Sequence, residues 1–270
     1  MRILIACTLL ILPGFCVAAD IANSVLSLSH YDCQRLDFSA LQRAGVEGVI
    51  HEATYPAFDS DPKYPLRQSE ATRAGMLWGA YHYGNASDPV KQADHFLEVV
   101  RGNWERSGRP ATGVLLVLDA ERNTHYPGGT MQVSQAVEFI KRVHQRTGVY
   151  PGFYSGEYWL NRVFGNSVDA RAKDTLRNSW LWIANYHYRP VSTAVWNNWA
   201  LWQYTGDGVC GLPRANYPTS VAGLAKIERT IFSGSRTELR SFWREHSWRP
   251  GGASSGATLA TLDERPAVRE

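Results

Sequence analysis

Cysteine is scarce: there are four in 270 residues, Cys7 and Cys16 fall in a leading apolar segment, and only Cys33 and Cys210 remain beyond it. Two cysteines make no disulfide scaffold, so the chain must hold its fold by a hydrophobic core. Metal-ligand patterns are lacking too. His51, His82, His95 and His125 are scattered, no Cys/His cluster has the spacing a bound ion needs, and no metal site is expected. Charge of one sign is nearly absent, since the formal net charge is +3. That excludes the basic stripe of a nucleic-acid-binding protein and leaves a mild suitability for anionic partners. After the first twenty residues no apolar run approaches the length of a membrane span.

What is present begins with MRILIACTLLILPGFCVAAD. One Arg, an apolar centre and small residues at Val17 and Ala19 read as a secretory signal cut after Ala19, giving residues 1–19 as leader and a secreted or periplasmic product. Phe15 before Cys16 disfavours a lipid-anchored form. The remainder, about 250 residues, suits one large α/β domain, here residues 20–249. Nothing in the composition sets an oligomeric state, and a monomer is the expectation. After Pro250 the chain turns to GGASSGATLATLDERPAVRE, too poor in large apolar residues to fold, so residues 250–270 read as a disordered tail.

Between these ends strand and helix signals alternate. Ser24 to His30 reads as a strand, Asp37 to Ala44 as a short helix stopped by Gly45, and Gly48 to Thr54 as a second strand. A helix near Leu66 to Ala74 precedes the strand MLWGAYHY. Asp88 and Pro89 then open a helix whose apolar face is Ala93, Phe96, Leu97 and Val100 and which Gly102 is expected to end. Val133, Ala136, Val137, Ile140 and Val143 fall at helical spacing before Gly148. VYPGFYS, LWIANY and Trp199 to Thr205 read as strands, with a segment near Ser167 to Arg177 between the first two and a last helix at Arg236 to Arg244. Alternation of this kind implies a mainly parallel sheet, and strands this apolar argue for closure into an irregular (β/α) TIM-like barrel of a single domain.

The stretch VLLVLDAE, Val114 to Glu121, carries the chemistry. Its apolar run reads as a central strand buried on both faces. Asp119 and Glu121, two apart, project together from its C-terminal end, where α/β barrels place their sites. Neighbouring carboxylates raise one another's pKa, leaving one group as acid and the other as anion. Glycosidic cleavage uses such a pair, although a strand-capping role fits the spacing equally well.

SLSHYD, HEAT, GAYHY, QADHF, LVLDAE, TGVYPGFYS, LWIANY, LWQYT and FSGS followed by FW stand in an order that resembles glycoside hydrolase family 25, the Chalaropsis-type lysozymes or N-acetylmuramidases. The resemblance runs roughly from Ser24 to Trp243 and implies an irregular (β/α) barrel. It implies Glu121 as general acid, Asp119 as its acidic partner, and Tyr81, Tyr154 and Trp202 as aromatic residues of a sugar groove. The aromatic rings suit pyranose faces, though each could instead pack in the core. The chain also departs from the family pattern. Ser27 stands where the family usually has an Asp, Glu52-Ala53-Thr54-Tyr55 where Lys-Ala-Thr-Glu is common, and Glu228 where an Asp is common. The resemblance implies cleavage of the β-1,4 bond between N-acetylmuramic acid and N-acetylglucosamine in peptidoglycan glycan strands without a cofactor. Asp119 would then orient the substrate's own N-acetyl group. Two alternatives stay open: a weakly active or inactive glycan-binding module, since a hydroxyl at Ser27 carries no charge, and a barrel hydrolase of another N-acetylated glycan. Because first and last strands of a barrel adjoin, a Cys33–Cys210 disulfide is a further expectation.

Overall fold

Which face a side chain takes along each strand decides this architecture. The computed structural model describes residues 24–251 apart from 57, 108 and 192. The expected leader, and the expected tail beyond residue 251, lie outside the described residues. In chain order the elements are β1 (Val25–Leu28), α1 (Phe38–Arg43), β2 (Gly48–Tyr55), β3 (Asp59–Ser60), α2 (Tyr64–Arg73), β4 (Leu77–Tyr83) and α3 (Pro89–Arg106). There follow β5 (Val114–Asp119), α4 (Val133–Thr147), β6 (Gly152–Gly156), α5 (Glu157–Trp159), α6 (Ala170–Leu176), β7 (Leu181–Ala184), β8 (Leu201–Thr205), β9 (Glu228–Phe232), α7 (Arg236–His246) and β10 (Ser247–Trp248).

Eight strands close a barrel in the order β1, β2, β4, β5, β6, β7, β8, β9, with β9 returning to pair with β1. The pairs from β1 through β8 are parallel, while β9 runs antiparallel to both of its neighbours. That reversed strand is the irregularity in an otherwise parallel α/β barrel. The connection that leads into it, Gly206 to Ile227, contains no helix.

Successive side chains on each strand face opposite ways, and the two faces form two apolar clusters. Val25, Ile50, Leu77, Leu115, Val117, Leu201 and Phe232 meet inside the barrel. Leu26, Val49, Trp78, Leu116, Leu118, Phe153 and Ile183 face outward and pack with Phe96, Leu97, Phe139 and Ile140 of α3 and α4. α7 plugs the end where the strands begin. Ser235 and Glu238 form its capping box, and Leu239 and Trp243 enter the inner cluster. The Trp243 indole donates to the Trp78 carbonyl at 2.9 Å, and its ring lies so close to Gly48 that a Cβ there would sit 3.1 Å away.

Two expectations are corrected. α3 does not end at Gly102 but continues to Arg106, because Asn103 and Trp104 extend its buried face; their burial outweighs the roughly 1 kcal/mol penalty of a helical glycine. Cys33 and Cys210 are free thiols, not a disulfide, and Cys33 is exposed.

Candidate active site

The face that is apolar near the start of each strand turns polar near the C-terminal end. On β1 the inner face passes from Val25 to Ser27, on β2 from Ile50 to Glu52, and on β5 from Leu115 and Val117 to Asp119. Glu121 continues the β5 face two residues past the strand. The register holds there because the Ala120 N–H donates to the Tyr154 carbonyl at 3.0 Å and the Ser155 hydroxyl donates to the Ala120 carbonyl at 2.8 Å. Since β9 is antiparallel, its first residue, Glu228, reaches the same end, opposite Ser27 in register. Together these strand ends floor a cleft of about 500 Å³ that Tyr81, Tyr83, Tyr154 and Trp182 also line.

Loops build the rim from Tyr31, Asp32, His125, Tyr126, Asp207 and Lys226. Asn123 fixes the loop after β5. Its side-chain oxygen accepts from the His125 and Tyr126 N–H groups at 3.1 and 2.9 Å, and its amide donates to the Tyr126 and Gly129 carbonyls at 2.9 and 3.0 Å. Tyr126 is thereby held over the cleft.

Burial dominates the electrostatics. Desolvation, with Asp207 adding repulsion, pushes Glu121 up to about 7. Asp119 is raised well above the usual carboxylate range by burial and then by the charges of Glu121, Glu52 and Glu228. Glu52 and Glu228 are both pushed up to about 8, chiefly by burial; Asp61 adds repulsion at Glu52, and Asp32 adds it at Glu228 while a hydrogen bond from Ser27 opposes the shift. Near neutral pH such a set retains protons that exposed carboxylates would have lost. Asp119 Oδ1 and the Trp182 indole nitrogen are buried without a hydrogen-bond partner among the described residues.

His30, Glu52 and Asp61 bring potential ligand atoms within 4.8 Å of one another. The 2.7 Å between His30 Nδ1 and Glu52 Oε2 is a hydrogen bond. Arg67 and Lys63 stand beside this group: both donate to the Asp32 carbonyl, at 2.6 and 2.9 Å, and the Arg67 charge opposes part of the rise that burial imposes on Asp61.

A family model, Glycosyl hydrolases family 25, matches residues 27–211 of this chain. The chain belongs to that family. Lysozyme M1 of Streptomyces globisporus is 28% identical over 222 residues, which is 79% of this chain and 69% of the relative. The N,O-diacetylmuramidase of Arthroderma benhamiae is 24% identical over 160 residues, 56% of this chain and 66% of the relative. Among solved structures, a family GH25 lysozyme from Aspergillus fumigatus superposes with a TM-score of 0.60 at 26% identity, covering 82% of this chain and 97% of that one. A bacterial lysozyme from Streptomyces coelicolor gives 0.62 at 23% identity over 82% and 97%, a likeness of fold.

In this family 25 chain the structure brings together six of the seven site residues expected from sequence: Asp119, Glu121, Tyr81, Tyr154, Ser27 and Glu228. Trp202 is the exception. It takes the outward face of β8, packs on Trp199, Tyr204 and Tyr217, and donates its indole N–H to the Asn185 carbonyl at 2.8 Å. One strand away, Trp182 has the inward phase, with Leu201 opposite it, and lines the cleft instead. Sequence reasoning also missed Tyr31, Asp32, Tyr83, His125, Tyr126, Asp207 and Lys226. Most of these sit on loops and carry no periodic signal.

Proposed function

We propose that this chain is an exported peptidoglycan hydrolase, an N-acetylmuramidase cleaving the β-1,4 bond between N-acetylmuramic acid and N-acetylglucosamine. The observation that carries the proposal is the pair at the end of β5: Glu121, pushed up to about 7, beside the buried Asp119. A carboxyl that keeps its proton near neutral pH can protonate the leaving glycosidic oxygen. Asp119, with an oxygen that has no hydrogen-bond partner among the described residues, orients the substrate's N-acetyl group as nucleophile and, in its ionised form, steadies the positive charge that develops. The relatives, a lysozyme and an N,O-diacetylmuramidase, support the same substrate. Residues 1–19 would direct export, giving a secreted or periplasmic protein that acts on glycan strands as a monomer.

A second reading has its own observation. Ser27 carries no charge, and Glu52 and Glu228, both raised to about 8, are largely neutral at pH 7. A site with so little negative charge would hold a glycan and cut it slowly or not at all. Incubation of the protein lacking residues 1–19 with purified peptidoglycan separates the two readings. New reducing ends at N-acetylmuramic acid, seen by mass spectrometry of the released fragments, support the muramidase. Retention on peptidoglycan with no new ends leaves the binding module, and new ends at N-acetylglucosamine would show that a different bond is cut.

A further inference from the structure

We propose that Tyr31 and Tyr126, buttressed by His30 and Tyr55, form a separate sugar subsite on one wall of the cleft. Its occupant is an N-acetylhexosamine unit of the β-1,4 glycan away from the bond that is cut. The proposal rests on the glycan-binding reading above and adds where the chain runs.

The four rings are linked in series. His30 lies 4.0 Å from Tyr31 and 4.8 Å from Tyr55, Tyr55 stacks on Tyr126 at 5.1 Å, and Tyr126 meets Tyr83 of the inner wall at 5.0 Å. The run therefore leads from the barrel floor to the rim, where the Tyr31 side chain is 65% exposed. None of these five residues belongs to either apolar cluster of the fold, so core packing does not account for them. Tyr31 and Tyr126 line the same cleft as Asp119 and Glu121, which makes the wall continuous with the proposed cleavage site.

Both lining residues stand on pinned backbone. The turn carrying Tyr31 is closed by the Ser29 N–H donating to Asp32 Oδ2 at 2.7 Å and the Tyr31 N–H donating to the Ser29 hydroxyl at 3.2 Å. Arg67 holds the Ser29 and Asp32 carbonyls of that turn at 2.8 and 2.6 Å. The hydrogen bond between His30 and Glu52 fixes the ring behind Tyr31, and Asn123 fixes Tyr126. An exposed ring on a rigid support offers an apolar face at little ordering cost. A pyranose presents a matching C–H face, while nearby Asp32 offers its hydroxyls and N-acetyl group an acceptor.

The test measures kcat and KM on purified peptidoglycan for wild type, Tyr31→Ala, Tyr31→Phe and Tyr55→Leu, and the binding of an N-acetylglucosamine tetramer by titration. The subsite predicts that Tyr31→Ala and Tyr55→Leu raise KM and weaken tetramer binding by about three- to tenfold with kcat within about twofold, because binding to a remote unit is uniform. Tyr31→Phe, which keeps the ring, should stay within about twofold of wild type on both measures. Tyr31→Ala and Tyr55→Leu variants indistinguishable from an active wild type would overturn the subsite and leave the muramidase reading intact. Wild type that binds the tetramer without cutting peptidoglycan, with binding weakened in Tyr31→Ala, would keep the subsite and remove the muramidase. Wild type that does not bind the tetramer overturns the subsite.

Discussion

The two ends of this barrel are built on the same strands and use burial oppositely. At the end where the strands begin, Leu239 and Trp243 of α7 fill the interior with apolar surface. At the other end, the same inward-facing positions hold Ser27, Glu52, Asp119 and Glu228, and burial there works against the charge of the carboxylates. One end contributes stability; the other holds stored electrostatic strain. The difference shows how a barrel separates folding from chemistry along a strand of a few residues, with no change of element.

The largest effect expected is on rate at the polar end. Glu121→Gln keeps shape and hydrogen bonding but delivers no proton, so peptidoglycan turnover should fall by about two or more orders of magnitude while glycan affinity persists. Asp119→Asn should likewise lose rate more than affinity. Thermal unfolding of both variants should show unchanged or raised stability, because each replaces a carboxyl whose ionisation burial opposes with a neutral amide of the same shape. A fall in stability would break the contrast between the ends.

At the plugged end the expectation reverses. Trp243→Ala removes a fully buried indole and its hydrogen bond to the Trp78 carbonyl, and should cost about 3–5 kcal/mol in a denaturant titration. Any activity lost should track the unfolded fraction.

Stability should also depend on pH through the polar end, with the buried His51 and His82, lowered to about 3 and about 4 by burial, acting in the opposite sense below about pH 6.5. Glu52 and Glu228 have folded pKa values of about 8 against 4.5 for a free side chain, so the folded state binds the extra protons. Their favourable contribution is full below about pH 4.5 and is lost as pH rises through 8. The melting temperature should therefore fall between about pH 6.5 and pH 8, above the range in which His51 and His82 oppose the trend, and Glu52→Gln should flatten that slope. Ser27→Asp should steepen it and should not raise activity, because Glu228 opposite and Glu52 nearby already crowd the position with carboxylates.

The smallest effect separates inside from outside. Trp202→Phe should cost about 1–2 kcal/mol in stability with no change in KM. Trp182→Phe should change glycan affinity, read as a shift in KM.

Much of this was legible in the sequence because the central strands are long apolar runs punctuated by Gly and capping residues. The β5 pair was legible because two carboxylates at a spacing of two must share a face. The phase of Trp182 and Trp202 was not, since a strand buried on both faces shows no alternation in its sequence. The reversal of β9 had no distinct signal, since the stretch before β8, which also has no helix among its described residues, leads to a parallel strand. The rim tyrosines had none, because Tyr31, Tyr55 and Tyr126 lie far apart in the chain and meet only through loops whose shape depends on Asn123, Ser29 and Arg67.

The account turns on burial keeping Glu121 protonated, and the pH dependence of kcat/KM on soluble peptidoglycan fragments reads this directly. The basic limb should fall with an apparent pKa near 7, as the donor loses its proton. A rate that holds level to pH 9, or climbs across neutrality, would contradict it.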